Sequence, residues 1–277
     1  MKFRTVFLCC ILIFVLPALA HEFWLEPQQY IFSRGEEINI RFKVGEQFHG
    51  DNWKGSREKI NDLRLYYGDV MDSSLSSGIT DEKGDSLQFS LFEETTVMVC
   101  FNSTNNFIEL DSAKFTEYLK EDGLTNALEY RKEHNETDSM GREYYQRSVK
   151  TIVQVGANKT DVYKKQTSLP LDIIPLAHPY MVHGKQKMNV KVLFHNEPLI
   201  NHKIVVWHKM ADGVTDSSYT SNANGEISFI VDPAGEWMVS CVNMIRLEND
   251  AKAQWQSYWG SCTWGYTGRH VVTDRSR

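Results

Sequence analysis

Residues 226–244, EISFIVDPAGEWMVSCVNM, contain two apolar runs that are separated by a turn signal. The alternating and β-branched residues of EISFIVD and EWMVSCVNM are typical of strands, and DPAG between them is typical of a tight turn. Three further strand patterns come before this pair: LDIIPL, MNVKVLF and HKIVVWH. Five closely spaced strands with no helix between them predict an immunoglobulin-like β-sandwich over residues 166–277.

Strand patterns also occur in the N-terminal part of the chain, in INIRFKVG, DLRLYYGDV, SLQFSLF and TVMVCFN. We therefore predict a second β domain over residues 21–165, so that the fold is mainly β and contains two sandwich domains. A helical insertion is predicted at about residues 111–150, because apolar residues there recur at spacings of three and four. Its first helix is capped by Asp111 or Ser112 and breaks near Gly123, and a second helix begins at Arg142 and runs into a strand.

The first twenty residues are typical of a secretory signal peptide. Lys2 and Arg4 precede the apolar run VFLCCILIFVLP, and ALA supplies the small residues of a cleavage site. Cleavage after Ala20 would place the mature protein in the periplasm or outside the cell, with His21 at its N-terminus. The apolar run is too short to span a bilayer comfortably, so we expect no direct membrane insertion.

Composition and motifs limit the classes of function. The net charge of −6 argues against nucleic acid as a partner, because such proteins carry clusters of Lys and Arg. The sequence contains no nucleophile elbow, zinc-protease motif or phosphate loop, so we predict a protein that is not an enzyme. Of the cysteines that follow the signal peptide, Cys241 and Cys262 are closer in sequence to each other than either is to Cys100, and are the more probable disulfide pair.

His21 is a candidate metal ligand that processing would create. The free α-amine and the imidazole Nδ1 of an N-terminal histidine can close a chelate ring on one ion. The α-amine titrates near pH 8, roughly, so losing its proton on binding costs little at neutral pH. One further imidazole would complete a set of three nitrogen ligands, which favours Cu(II) or Ni(II) over Ca(II) or Mg(II).

Two other functions compete with metal binding. The strip QWQSYWGSCTWGY is rich in aromatic residues, which either fill the core of a sandwich or contact a glycan or a surface partner. The second possibility corresponds to a structural or interaction module that binds no metal. A copper oxidase that uses an N-terminal histidine site is a third possibility, and it would require an open coordination position.

The order of several segments resembles a known bacterial family, the domain of unknown function 4198. HEFWLEP, VGEQFHG, FTEYLKEDGL, LDIIPLAHPY and WQSYWGSCTW carry the resemblance. Members are often labelled periplasmic components of cobalt or nickel uptake systems. The resemblance thus implies an exported metal-handling or metal-delivery protein built of β-rich domains with a helical insert. Together with the chelate at His21, it leads us to expect binding of nickel, cobalt or copper for uptake or delivery, with a membrane transporter or outer-membrane receptor as the partner.

The resemblance carries over to the ligands only in part. His21 and Trp24 match the opening motif, but a histidine commonly stands in the family where this chain has Asn243. Asparagine is a poor ligand for Ni(II) or Cu(II) beside imidazole. We therefore predict that His178 or His49, each of which lies in or beside a matching segment, supplies the further imidazole to His21.

Overall fold

The computed structural model describes residues 22–72, 78–79 and 84–268. The predicted signal peptide and His21 lie outside these residues. The described chain is built mainly of strands, which confirms the predicted fold class. Numbered along the chain, the strands are β1 (Glu22–Pro27), β2 (Ile31–Phe32), β3 (Glu37–Glu46), β4 (His49–Asn52), β5 (Ile60–Tyr67), β6 (Val70–Asp72), β7 (Ser86–Ser90), β8 (Thr95–Ser103), β9 (Asn106–Leu110), β10 (Gly141–Val155), β11 (Leu171–Pro175), β12 (Gln186–Phe194), β13 (Glu197–Pro198), β14 (Lys203–Met210), β15 (Gly213–Thr220), β16 (Glu226–Val231), β17 (Glu236–Arg246) and β18 (Trp255–Gly265).

The strands form one large and two small sheets. The large sheet has the order β15-β14-β17-β18-β10-β8-β5-β6, with β2 and β9 also pairing with β10. The first small sheet consists of β1, β3, β4 and β7, and the second of β11, β12, β13 and β16. Apolar side chains fill the space between each small sheet and the large one, forming two main cores. Sheets stacked in this way are the layers of a β-sandwich.

The parallel pairing of β10 with β18 makes the large sheet continuous. Its register runs from Glu143 opposite Trp255 to Thr151 opposite Thr263. This pairing joins strands from the two predicted domains within one sheet. The proposed division of the chain at residue 165 stays a prediction.

The prediction of a helix from Arg142 is wrong, because residues 141–155 form the single long strand β10. The C-terminal half of this strand, from Ser148 to Val155, is buried on both faces. β-branched residues such as Val149, Ile152 and Val153 suit such a strand. Pairing of the preceding segment with β9 and β18 extends the strand back to Gly141.

The helical segment is shorter than predicted and consists of α1 (Ser112–Glu121) and α2 (Thr125–Glu133). The predicted cap is confirmed: the Asp111 side chain accepts a hydrogen bond from the Lys114 backbone N–H at 2.9 Å. The predicted break is also confirmed, since Gly123 has a φ of +70°. Phe115 and Leu119 of α1 pack with Met244 of β17 in a third apolar cluster. Neither helix has the length and hydrophobicity needed to cross a bilayer, and no other described helix does.

The aromatic strip near the C-terminus contributes mainly to the interior. Trp255 is 2% exposed and Trp264 is fully buried, which confirms the core-filling role for these two residues. The expected disulfide between Cys241 and Cys262 is not formed, because both are free thiols, as is Cys100. The register explains this: Cys241 lies opposite Gly260, and Cys262 lies opposite Val239.

Candidate functional site

A small acidic pocket lies where β1 begins, directly after His21 in the chain. Its volume is about 30 Å³, enough for water molecules or a single ion. Glu22, Asp122 and Lys203 supply its charged groups, and Trp259 forms part of its wall. Glu22 and Asp122 lie in HEFWLEP and FTEYLKEDGL, two of the segments that carry the family resemblance, but no pattern in the sequence indicates that they meet, so sequence reasoning missed the pocket.

Three elements position the charged groups. Glu22 is the first residue of β1, Asp122 is the residue that ends α1, and Lys203 is the first residue of β14. The Lys203 ammonium donates a hydrogen bond to the backbone carbonyl of Glu121, which holds the C-terminus of α1 against β14. A Cβ atom on Gly123 would lie only 2.9 Å from Cβ of Lys203. Glycine is therefore required there by the close approach as well as by its positive φ.

Both carboxyl groups of the pocket have raised pKa values. Burial, with the nearby charge of Glu46, raises the pKa of Glu22 to about 7 against the opposing effect of Lys203. Burial, followed by the charge of Glu22, raises the pKa of Asp122 to about 8. Two half-buried carboxyl groups that repel each other beside one lysine can hold protons near neutral pH, or exchange them for a cation.

A third acidic residue, Glu143, lies behind the pocket wall. It is 2% exposed, and burial raises its pKa to about 7. The Tyr118 hydroxyl donates to its Oε1 at 3.2 Å, and the Ser257 hydroxyl donates to the same oxygen. Its Oε2 has no hydrogen-bond partner among the described residues. The charge of Glu143 further raises the pKa of Asp122.

His49 lies at the same end of the first small sheet as Glu22. In β4 it is exposed and directly opposite Glu46 of β3. Glu46 follows Gly45, which is the partner of Glu22 in the β1–β3 ladder. The structure therefore brings one predicted ligand, His49, to the region in which the described chain begins.

His178 occupies a different environment, at the start of the short 3-10 helix Pro179–Met181. Its Nδ1 accepts a hydrogen bond from the Tyr180 backbone N–H at 3.1 Å, and its Nε2 lies 3.0 Å from Thr96 Oγ1. Because the Thr96 hydroxyl donates to Gln154 Oε1, it can accept the proton of His178 Nε2. Burial lowers the pKa of His178 to about 4, so the ring is neutral at pH 7. Metal binding at either nitrogen would have to replace one of these hydrogen bonds.

Within residues 22–72, 78–79 and 84–268, no group of three or more His, Cys, Asp or Glu side chains is arranged to hold a metal ion. His21, the ligand on which the sequence prediction depends, lies outside these ranges. What the described residues provide around Glu22, the residue that follows His21 in the sequence, is a pair of carboxyl groups with raised pKa values and, at the same end of the sheet, an exposed imidazole.

The described residues thus form a β-sandwich protein with a small acidic pocket lined by Glu22, the first residue of β1. A family model described as domain of unknown function (DUF4198) matches residues 18–245. The chain belongs to this family, as the resemblance in its sequence predicted. Comparison with curated proteins gives no match.

Solved structures show only weak similarity. A DUF3823 family protein from Bacteroides uniformis is 10% identical, with 90% of this chain and 100% of that chain covered and a TM-score of 0.22. Dimeric latent PorU from Porphyromonas gingivalis is also 10% identical, with coverages of 87% and 20% and a TM-score of 0.20. Three N-terminal domains of the outer capsid protein Hoc from bacteriophage RB49 are 9% identical, with 88% of this chain and 59% of that chain covered and a TM-score of 0.18. These TM-scores carry no argument about function.

Proposed function

We propose that this protein is exported and binds a divalent transition metal, nickel, cobalt or copper, at its mature N-terminus for uptake or delivery. One observation carries the proposal: the residue that follows His21 lines a narrow pocket together with a second carboxyl group, and both have raised pKa values. The protein acts as a binding protein rather than an enzyme. A membrane transporter or outer-membrane receptor would accept the ion.

The covalent chain supports a site that combines His21 with the pocket. Consecutive Cα atoms are about 3.8 Å apart, so the amine and imidazole of His21 are tethered directly to Glu22. The α-amine and Nδ1 would form the chelate, and the carboxylates of Glu22 and Asp122 would add oxygen ligands. His49 lies at the same end of the β1–β3–β4 ladder as Glu22 and would complete the set.

Charge balance supports a cation as the occupant. At neutral pH, Glu22 and Asp122 bind protons because burial and mutual repulsion disfavour two negative charges. A divalent ion would replace these protons and relieve the repulsion. Metal binding should therefore release protons and weaken as the pH falls below about 7.

The experiment that tests the proposal is isothermal titration of protein that begins at His21, with Ni(II), Co(II) and Cu(II) in separate runs. A form with one extra N-terminal residue is the control, because its α-amine no longer belongs to the histidine. We expect one-to-one binding that is at least tenfold weaker in the extended form, a loss of about 1.4 kcal/mol or more.

Variants of the pocket distinguish the contribution of the carboxylates to metal binding from that of the His21 chelate. Asp122→Asn should weaken binding, whereas Glu129→Gln, on the exposed surface of α2, should not. Equal or negligible binding by the processed and extended forms would overturn the proposal. The interaction module that contacts a surface partner or glycan would then be the better hypothesis.

A further inference from the structure

A lysine and an aspartate are in direct contact inside the core between the large sheet and the second small sheet. Lys150 lies on β10 of the large sheet and is fully buried, and Asp172 lies on β11 of the second small sheet and is 2% exposed. The Lys150 Nζ atom contacts the Asp172 Oδ1 atom. Lys150 and Asp172 thus connect two different sheets through their side chains, and neither residue belongs to the acidic pocket.

The surroundings of the pair are apolar. On one side, Cys262 of β18 is opposite Lys150 in the parallel ladder. Cys262 and Cys100 are buried free thiols in the same core, together with Leu171 and Ile173 of β11. Two opposite charges are costly to keep in such an environment, whereas a neutral amide that retains its hydrogen bonds is not.

The two oxygens of Asp172 have different partners. Oδ1 contacts the amine of Lys150, and Oδ2 accepts a hydrogen bond from the Thr167 backbone N–H at 2.7 Å. Thr167 is itself 7% exposed, so this donor is also shielded from water. The contact brings the amine beside the carboxyl group, and the Thr167 N–H can stabilise the negative charge that develops on Oδ2 during amide formation.

We propose that Lys150 and Asp172 form an intramolecular isopeptide bond in the folded protein. A proton moves from Nζ to Oδ1, the neutral amine attacks the Asp172 Cγ atom, and a second proton follows to Oδ1. The Cγ–Oδ1 bond then breaks and Oδ1 leaves as water, so that an ammonium and a carboxylate become one amide and one water molecule. Oδ2 becomes the amide oxygen and keeps the Thr167 N–H as its donor. No oxidant or further reactant is consumed.

The consequence of this bond is a covalent link between the large sheet and the second small sheet. Because it closes a loop between residues 150 and 172, the link restricts the unfolded chain as a disulfide would. It would also remain intact under reducing conditions, in contrast to a bridge between cysteines.

Mass spectrometry of the whole folded chain tests the proposal directly. After reduction, the wild-type mass should be lower than the mass calculated from the same chain's sequence by one water molecule. Tryptic digestion should yield a branched peptide in which fragmentation assigns the link to Lys150 and Asp172. A full sequence mass, with two linear peptides that contain the unmodified residues, would overturn the proposal.

Variants confirm the origin of the mass difference. Lys150→Arg keeps a positive charge but cannot form this amide, so it should have its full sequence mass and a lower melting temperature. Lys187→Arg, at an exposed position of β12, is the matched control and should retain the loss of one water. Loss of water in Lys150→Arg would place the reaction elsewhere and contradict the assignment. If Lys150→Arg does not fold, the wild-type peptide map still decides the question.

Discussion

The acidic pocket and the buried Lys150–Asp172 pair both contain ionisable side chains that are removed from water, but they differ in the balance of acidic and basic groups. In the core, one amine meets one carboxyl group, and the second carboxyl oxygen has a backbone donor. In the pocket, Glu22 and Asp122 share a single lysine, whose ammonium also donates to the carbonyl of Glu121. The balanced pair is complete within the fold, whereas the pocket gains from binding a proton or a cation. This difference distinguishes a structural pair from a candidate ligand site.

Removing one member of the balanced pair should have the largest effect on stability. Lys150→Met leaves the Asp172 carboxyl group buried without its partner and also removes the proposed amide link, and we expect a loss of about 3–5 kcal/mol in the free energy of unfolding. Chemical denaturation measures this loss, with Lys187→Met on the exposed face of β12 as the control. A loss below about 1 kcal/mol would show that water reaches the pair. The pair would then no longer differ from the pocket in its contribution to stability.

His178 extends the comparison to a buried group that is neutral. Its folded-state pKa of about 4 lies below the ordinary value of 6.5, because burial disfavours the charged ring. A depressed pKa contributes stability that is complete above pH 6.5 and is lost as the pH falls towards 4. Between about pH 7 and pH 5 we expect the wild type to lose about 2 kcal/mol relative to the His178→Gln variant. Parallel pH profiles of the two proteins would mean that the ring is protonated without cost.

The geometry of the pocket can be tested at Gly123. Alanine at this left-handed position should cost about 1–2 kcal/mol, and its Cβ would also press on Lys203. Gly184, with a φ of +74° and open space around it, is a matched control for backbone strain alone. Denaturation and metal titration of Gly123→Ala and Gly184→Ala should show that only the first weakens metal binding. If both substitutions changed metal binding equally, Asp122 would not be part of the metal site.

The unbalanced carboxyl groups predict a pH effect opposite in sign to that of His178. The pKa of Asp122 is raised from 3.8 to about 8, so its contribution to stability is complete below pH 3.8 and is lost as the pH rises through about 8. Without metal, the wild type should therefore lose about 1 kcal/mol more than Asp122→Asn between about pH 5 and pH 9, a figure reduced because the group is half-buried. Thermal denaturation across this range checks the difference, with Glu129→Gln as the control. A steeper loss in Asp122→Asn would contradict the assignment.

Local sequence patterns predicted much of the fold. The strands of the C-terminal region, the cap at Asp111 and the break at Gly123 depend on neighbouring residues, and all were predicted. The first part of β10 was mistaken for a helix, because its strand conformation depends on pairing with β9 and β18, which no short window of sequence contains.

The candidate site could be predicted only where covalent chemistry defines it. His21 stood out because cleavage would free its α-amine, which can bind a metal ion together with the imidazole Nδ1. Asp122 and Lys203 are eighty-one positions apart in the chain and meet only through tertiary packing of α1 on β14, so no spacing rule identifies them. The one local signal was the helix end in EDGL, where Asp122 is the C-cap residue that directly follows α1.

The most direct test of the central claim is to count the protons released when Ni(II) binds to protein that begins at His21. Isothermal titration at about pH 7 in buffers of different ionisation enthalpy gives this number, for the wild type and for Asp122→Asn. If His21 and the acidic pocket form one site, the wild type will release more protons than the variant, because the ion displaces the proton held by Asp122. Equal proton release, or no binding, would show that the pocket is not part of a metal site.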